Sequence, residues 1–99
     1  LITEFDVNDT AAPADIPRRD ALIADLARGY MDLMLSYPQM KQVLAWGLSD
    51  QYSWLQGRWP RPDALPKRPT PFDAQFRAKP LREALAGAFR AAPKRRAWT

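Results

Sequence analysis

The chain has 99 residues and a formal net charge of +4, which fits one small domain. It contains no cysteine and no histidine, so disulfides, thiolate metal sites and the commonest general base are excluded, and any catalysis must depend on carboxylates. No apolar run approaches the roughly 18 residues that span a membrane. The chain opens on Leu1 rather than on methionine and enters an apolar stretch at once, which predicts a piece of a longer protein.

Residues 1–7 predict a β-strand with two acids on one face. Because strand side chains alternate, Ile2, Glu4 and Asp6 share one face, while the other carries Leu1, Thr3, Phe5 and Val7. The apolar face requires cover from helices, and in a closed parallel sheet the acidic face is buried as well. A buried carboxylate is costly unless it is paired or has a function. The alternative is a half-exposed edge strand with two solvated acids.

A loop over residues 8–16 leads into an amphipathic helix predicted for residues 18–36. Asp15 is placed to cap this helix, Pro17 is tolerated in its first turn, and Pro38 ends it. The apolar positions recur at helical spacing and form one stripe, flanked by Ile23, Ala27 and Met34: Leu22, Leu26, Tyr30, Leu33 and Tyr37. The charged positions Asp20, Asp25, Arg28 and Asp32 lie off that stripe. One face of the helix is therefore expected to pack against a flat apolar surface.

Residues 43–48 form a continuous apolar run of strand length, as in a strand that is covered on both faces. Strand, long helix and strand in this order predict a βαβ unit with parallel strands and a right-handed crossover. The following segment, 49–72, has no helical period and holds five of the ten prolines. A loop of that length is usually functional or disordered. Its aromatic residues argue against disorder: Tyr52, Trp54 and Trp59.

Pro80 is predicted to begin a second helix that ends near residues 91–93. Its apolar stripe comprises Leu81, Leu85, Ala88 and Phe89. We therefore expect one unit over residues 1–92 and a basic, frayed tail over residues 93–99. Two strands do not make a stable sheet by themselves. The α/β pattern instead fits the last quarter of a larger fold.

Three segments carry recognisable motifs. Residues 2–7 read Ile-Thr-Glu-Phe-Asp-Val, residues 46–54 read Trp-Gly-Leu-Ser-Asp-Gln-Tyr-Ser-Trp, and residues 71–73 read Pro-Phe-Asp, followed by Lys79-Pro80. In order and spacing they resemble three motifs of the family 10 glycoside hydrolases, the retaining endo-1,4-β-xylanases. These motifs are the I-T-E-L-D-[IV] nucleophile strand, the W-G-[IVL]-[TS]-D-x-x-S-W segment, and the closing P-x-x-F-D and K-P pattern. The resemblance covers residues 1 to about 90, with Phe5 in place of leucine and Gln51 in place of a frequent basic residue.

The resemblance implies a (β/α)8 TIM barrel, of which this chain would be strand 7, helix 7, strand 8 and helix 8. Such barrels have about 250 residues and carry their catalytic groups at the C-terminal ends of the strands. Glu4 and the 46–54 segment both stand at such ends in the predicted element order.

By the same resemblance, Glu4 matches the catalytic nucleophile, and Asp6 matches an acid that acts through a strand-six histidine to keep the nucleophile oriented and charged. Retaining chemistry also needs a protonated acid about 5 to 5.5 Å from the nucleophile, which the family supplies from strand four. Glu83, the only other glutamate, is expected on the exposed side of the last helix. Asp50 follows the second strand and is interpreted as structural, ordering the turn there.

Trp46 and Trp54 match tryptophans that line the subsite of the sugar being cleaved. A tryptophan face stacks on the apolar face of a pyranose, and its N–H can hold a hydroxyl. Core packing is the alternative for each. Tyr52 and Arg58 complete the candidate substrate-binding set. Two further residues either extend the cleft or pack the loop: Trp59 and Arg61.

The implied function is retaining endo-hydrolysis of β-1,4 linkages in xylan or xylo-oligosaccharides by a complete barrel, secreted or periplasmic, without a cofactor or metal. This chain alone is expected to be inactive. One alternative is a non-catalytic carbohydrate-binding piece with an aromatic platform. Another is a basic nucleic-acid binder, but the basic residues are dispersed rather than gathered on one face. We therefore expect no nucleic-acid or membrane partner.

Overall fold

The computed structural model describes residues 1–57 and 61–94. Strand β1 covers Ile2–Phe5, helix α1 covers Ile16–Leu35, strand β2 covers Val43–Ala45 and helix α2 covers Pro80–Ala91. Two single-turn 3-10 helices lie in the segment between β2 and α2, at Asp50–Tyr52 and Trp54–Gln56. The order strand, helix, strand, helix is thus confirmed. The radius of gyration is 14.1 Å.

The two strands pair in parallel, as predicted, with Ile2 opposite Val43 and Phe5 opposite Ala45. Both are shorter than the predicted 1–7 and 43–48. Beyond Phe5 the backbone turns to a different partner, since the N–H of Val7 donates to the carbonyl of Pro69 at 3.0 Å. The strands therefore end where their mutual ladder ends.

Helix α1 begins two residues earlier than predicted, and the predicted cap is confirmed. The carboxylate of Asp15 accepts the N–H of Arg18 at 3.1 Å, which satisfies one of the donors that a helix start leaves free. Pro17 lies in the first turn. At the other end the N–H of Ser36 still bonds to the carbonyl of Asp32 at 3.1 Å, just before Pro38 stops the helix.

The predicted apolar stripe of α1 is wrong by one position along the helix. Its members Leu22, Leu26, Tyr30, Leu33 and Tyr37 are all exposed. The buried line runs instead through Ile23, Ala27, Met31 and Leu35, which join the main apolar cluster. The apolar arc of α1 is wider than one line, so its sequence alone does not identify the part that packs. The contact with α2 selects it.

Helix α2 lies across α1, and Leu81 and Ala88 bring it into the same cluster with Phe5 of the sheet. Phe89 was predicted on the buried stripe but is exposed.

A polar layer joins α1 to the segment that precedes α2. Asp20, placed off the apolar stripe by the sequence, is buried and accepts two hydrogen bonds from Arg68, at 2.7 and 2.8 Å. Arg19 is also buried, 3.6 Å from the carboxylate of Asp9. Several of the basic residues therefore hold the fold together instead of forming a charged surface.

The sheet is open, which agrees with two strands of a larger fold, but the 43–48 run lacks the cover that was predicted on both of its faces. Leu44, Trp46 and Leu48 are each about half exposed, and so is the acidic side of β1 at Glu4. Among the residues that the structure describes, the sheet has two strands, and no further strand lies at either edge. No helix in the part of the chain that the structure describes is long and apolar enough to cross a membrane.

Candidate active site

The carboxyl ends of β1 and β2 meet at one edge of the sheet. Because the strands are parallel, the residues that follow them leave in the same direction. The N–H of Trp46 donates to the carbonyl of Phe5 at 2.9 Å, which fixes the aromatic segment directly beside β1. Glu4 and Trp46 therefore belong to the same end of the same sheet.

Phe5 of β1 joins the apolar cluster and Glu4 does not, as the alternation predicts. Ile2, which was predicted on the acidic face, also packs against that cluster, because the pairing with β2 is irregular between Ile2 and Phe5 and interrupts the alternation. Phe5 is buried and stacks on Tyr30 of α1, with ring centroids 6.1 Å apart. Glu4 is exposed and Asp6 is half-buried. Both line a cavity of about 330 Å³, which Leu26 and Tyr30 border from α1. The nucleophile candidate is thus accessible while its acidic neighbour is partly withdrawn from solvent.

Asp6 has a partner that the sequence did not suggest. The indole N–H of Trp54 donates to Oδ2 of Asp6 at 2.8 Å. Burial raises the pKa of the Asp6 carboxyl, the hydrogen bond from Trp54 opposes that rise, and the nearby charge of Glu4 adds to it. The N–H that could have held a sugar hydroxyl is engaged here by a carboxylate. The ring of Trp54 remains 41 % exposed.

Three aromatic side chains surround a second cavity. Trp46, Tyr52 and Trp54 line a space of about 420 Å³ together with Ala45 and Gly47. All three aromatics are exposed, so none of them belongs to the core that the described residues form. Gly47 has φ +100°, a backbone conformation that suits glycine, and this turn leads the chain from β2 into the aromatic segment.

Arg58 and Trp59, two residues predicted near the cleft, lie outside the described residues. The ring of Tyr52 lies beside the ring of Phe76, with the two centroids 6.2 Å apart. The structure therefore brings together Glu4, Asp6, Trp46, Tyr52 and Trp54 around two neighbouring cavities.

Asp50 has a structural role, as the sequence predicts, because its side chain connects the aromatic segment to residues further along the chain. Its Oδ1 accepts the N–H and the hydroxyl of Thr70, at 3.0 and 2.8 Å, and its Oδ2 accepts Nζ of Lys79 at 2.8 Å. Lys79 is buried, and burial lowers the pKa of its ammonium group against the opposing effect of Asp50. Asp50 therefore ties the segment after β2 to the start of α2 instead of ordering one local turn.

Arg61 resolves one open alternative, since it packs the loop instead of extending the cleft. It is buried and donates to the carbonyls of Asp9 and Ala12, and Nη2 lies 2.8 Å from the carboxylate of Asp63. This guanidinium lowers the pKa of Asp63 to about 2. Thr70 was not singled out as a supporting residue by sequence reasoning, because nothing in its spacing predicts its long-range partner Asp50.

The other glutamate lies away from the two cavities. Glu83 is exposed on α2 and pairs with Arg82, the two side-chain atoms being 2.5 Å apart. Its charge is therefore screened on the surface of the last helix. Within the described residues, Glu4 is the glutamate that lies at the sheet edge with the aromatic residues.

A family model described as glycosyl hydrolase family 10 matches residues 1–88 of the chain. The matched region includes Glu4, Asp6, the aromatic segment and most of α2. No curated protein matches the chain.

Proposed function

Because this chain belongs to glycosyl hydrolase family 10, a family of glycosidases, we propose that it supplies the nucleophile side of a retaining endo-1,4-β-xylanase active site. Residues 1–92 act as strand 7, helix 7, strand 8 and helix 8 of a (β/α)8 barrel, and residues 93–99 form a basic tail. The described residues contain two strands and two helices of that eightfold plan. The remaining barrel units complete the site.

One observation carries this proposal. The hydrogen bond between Trp54 and Asp6 joins the acidic strand to the aromatic segment over 48 positions of sequence. It places an exposed carboxylate, Glu4, at the same sheet edge as three exposed aromatic rings. Glycoside hydrolysis uses two carboxyl groups at the scissile bond, and Glu4 would supply one of them beside rings that can stack on a sugar.

In the proposed reaction, the carboxylate of Glu4 attacks the anomeric carbon of xylan. The glycosidic bond breaks, and an acid from another part of the barrel gives its proton to the leaving oxygen. Water then attacks the glycosyl ester, the second residue takes its proton, and Glu4 leaves as a carboxylate. Two displacements at one carbon retain its configuration. Trp46, Trp54, Tyr52 and Arg58 bind the sugar, and Asp6 supports the nucleophile.

The chain alone is proposed to be inactive, because the acid that protonates the leaving group comes from outside it. No cofactor or metal takes part in this scheme. The substrate is xylan or xylo-oligosaccharides, with no nucleic-acid or membrane partner. Polymeric xylan is met outside the cell, so the complete enzyme is proposed to be secreted or periplasmic. Activity in the culture medium or periplasmic fraction, compared with the cytoplasmic fraction, tests this location.

The decisive experiment replaces Glu4 with alanine in the complete barrel. Glu4→Ala removes the covalent step and leaves the aromatic residues in place. Turnover should fall by several orders of magnitude while binding of xylo-oligosaccharide changes little, as for an interaction made only in the transition state. Azide should restore cleavage of an activated aryl xyloside and give a glycosyl azide of inverted configuration. Glu83→Ala is the matched control and should retain full activity.

Two results would refute this assignment. Near-normal activity of Glu4→Ala would show that Glu4 is a structural acid. Inversion of configuration by the intact enzyme would show that the reaction does not use a protein nucleophile. A protein that binds xylan through its aromatic residues, tolerates Glu4→Gln and hydrolyses no glycoside would instead be a carbohydrate-binding piece.

A further inference from the structure

Trp54 contacts Asp6 and also lines the aromatic cavity. Its indole N–H donates to Asp6 at 2.8 Å, whereas its ring lines the cavity shared with Trp46 and Tyr52. The same side chain therefore contacts the carboxylate that flanks Glu4 and offers a surface to the sugar.

The turn that carries Trp54 is held by side-chain hydrogen bonds from Ser53 and Gln56. Ser53 caps the 3-10 helix Trp54–Gln56, accepting the N–H of Leu55 at 3.2 Å. The side chain of Gln56 donates to the carbonyls of Asp50 and Lys67, at 2.8 and 2.7 Å. With its backbone anchored from both sides, the indole N–H keeps a defined direction toward Asp6.

The surroundings of Asp6 explain why a donor is needed there. Glu4, two positions away on the same strand face, places a second negative charge about 6.6 Å along the strand. The other titratable groups that border the two cavities are Tyr30 on α1 and Tyr52 on the first 3-10 helix. Burial and Glu4 both disfavour a charged Asp6, and the Trp54 N–H favours it.

We infer that Trp54 is a positioning residue for the nucleophile as well as a sugar platform: it holds the Asp6 carboxylate fixed and ionised beside Glu4. This inference rests on the proposed function, since it assigns Glu4 the nucleophilic role. Trp54 acts on the reaction through Asp6. A carboxylate can accept several hydrogen bonds, so a further donor to Asp6 from elsewhere in the barrel is compatible with this role.

The first test is the pH profile of Trp54→Phe in the complete enzyme. Phenylalanine keeps an aromatic face but has no N–H, so the pKa of Asp6 should rise further. Because the proposal requires Asp6 to be ionised, the acidic limb of kcat/KM should then move to higher pH, and activity above the limb should fall only a few-fold. In an Asp6→Asn background, Trp54→Phe should move no limb. A higher KM at every pH with the limb in place would make Trp54 a stacking residue only and overturn the inference.

The second test needs no turnover. With tryptophan labelled by ¹⁵N, the indole resonance that disappears in Trp54→Phe should shift as Asp6 titrates, and it should stay constant in Asp6→Asn. If Trp54→Phe does not fold, the loss of titration of one indole resonance between wild type and Asp6→Asn gives the same answer. Indole resonances that do not respond to pH in the wild type refute the link. Absence of any glycosidase activity in the wild type refutes the proposed function, a result that the indole titration does not depend on.

Discussion

Replacing Lys79 with methionine is expected to destabilise the folded enzyme by about 3 kcal/mol, because it leaves the buried carboxylate of Asp50 without its cation. The pair is almost fully enclosed, with side chains 2 % and 4 % exposed and atoms 2.8 Å apart. Breaking a buried pair costs about 3 to 5 kcal/mol. The lower end applies, because Thr70 still gives Asp50 two hydrogen bonds. The carbonyl of Arg68 also loses its 2.8 Å bond to Lys79.

Thermal unfolding of the complete barrel measures this effect, and the midpoint should fall by roughly 6 to 12 °C. The matched control is Arg82→Met, since Arg82 forms an exposed pair on the same helix and such pairs contribute about 0 to 1 kcal/mol. In the double variant Asp50→Asn with Lys79→Met, the loss should be smaller than the sum of the single losses. Equal midpoints for Lys79→Met and Arg82→Met would refute the idea that this pair holds the segment after β2.

The polar pair also has a pH signature. In the folded protein the pKa of Lys79 is lowered from its ordinary value of 10.5. In the pH range between the folded and unfolded pKa values, the unfolded chain therefore binds more protons than the folded chain. Stability of the wild type should therefore rise with pH there, relative to Lys79→Met.

Two further predictions concern packing and acid stability. Met31→Ala should lower the free energy of unfolding by about 2 to 5 kcal/mol, because Met31 is completely buried. The control Asp25→Ala, on the exposed side of α1, should change that free energy little. Equal losses for the two variants in urea titrations would contradict the observed burial. Because Arg61 lowers the pKa of Asp63 to about 2, the stability that ionised Asp63 contributes should be complete above pH 4 and lost as the pH falls through 2. Asp63→Asn should lack this part of the acid dependence, and parallel pH curves for the two proteins would argue against the pair.

Local patterns in the sequence determined the elements and their order. Asp15 and Pro80 mark helix starts by satisfying or avoiding the N–H groups that a helix start leaves free, and both lie where the structure begins its helices. Alternation along β1 placed Phe5 against the helices and Glu4 on the opposite side. These features depend on neighbours within a few residues, so a period or a cap in the sequence is enough to predict them.

The candidate site was predicted only in part. Its two acids and its tryptophans were found through motif order, and the structure shows Glu4, Trp46 and Trp54 at one sheet edge. Their roles in catalysis and sugar binding remain predictions for the experiments above. Arg58 lies outside the described residues.

Only the tertiary structure decided which contacts join distant parts of the chain. The buried line of α1 through Met31 depends on the contact with α2. The pairing of Asp20 with Arg68 and the hydrogen bond from Trp54 to Asp6 depend on the path of the long segment before α2. That segment has no helical or strand period, so its sequence does not encode where each side chain will meet a partner. Burial then fixes the polar partners, since a charge removed from water must be paired.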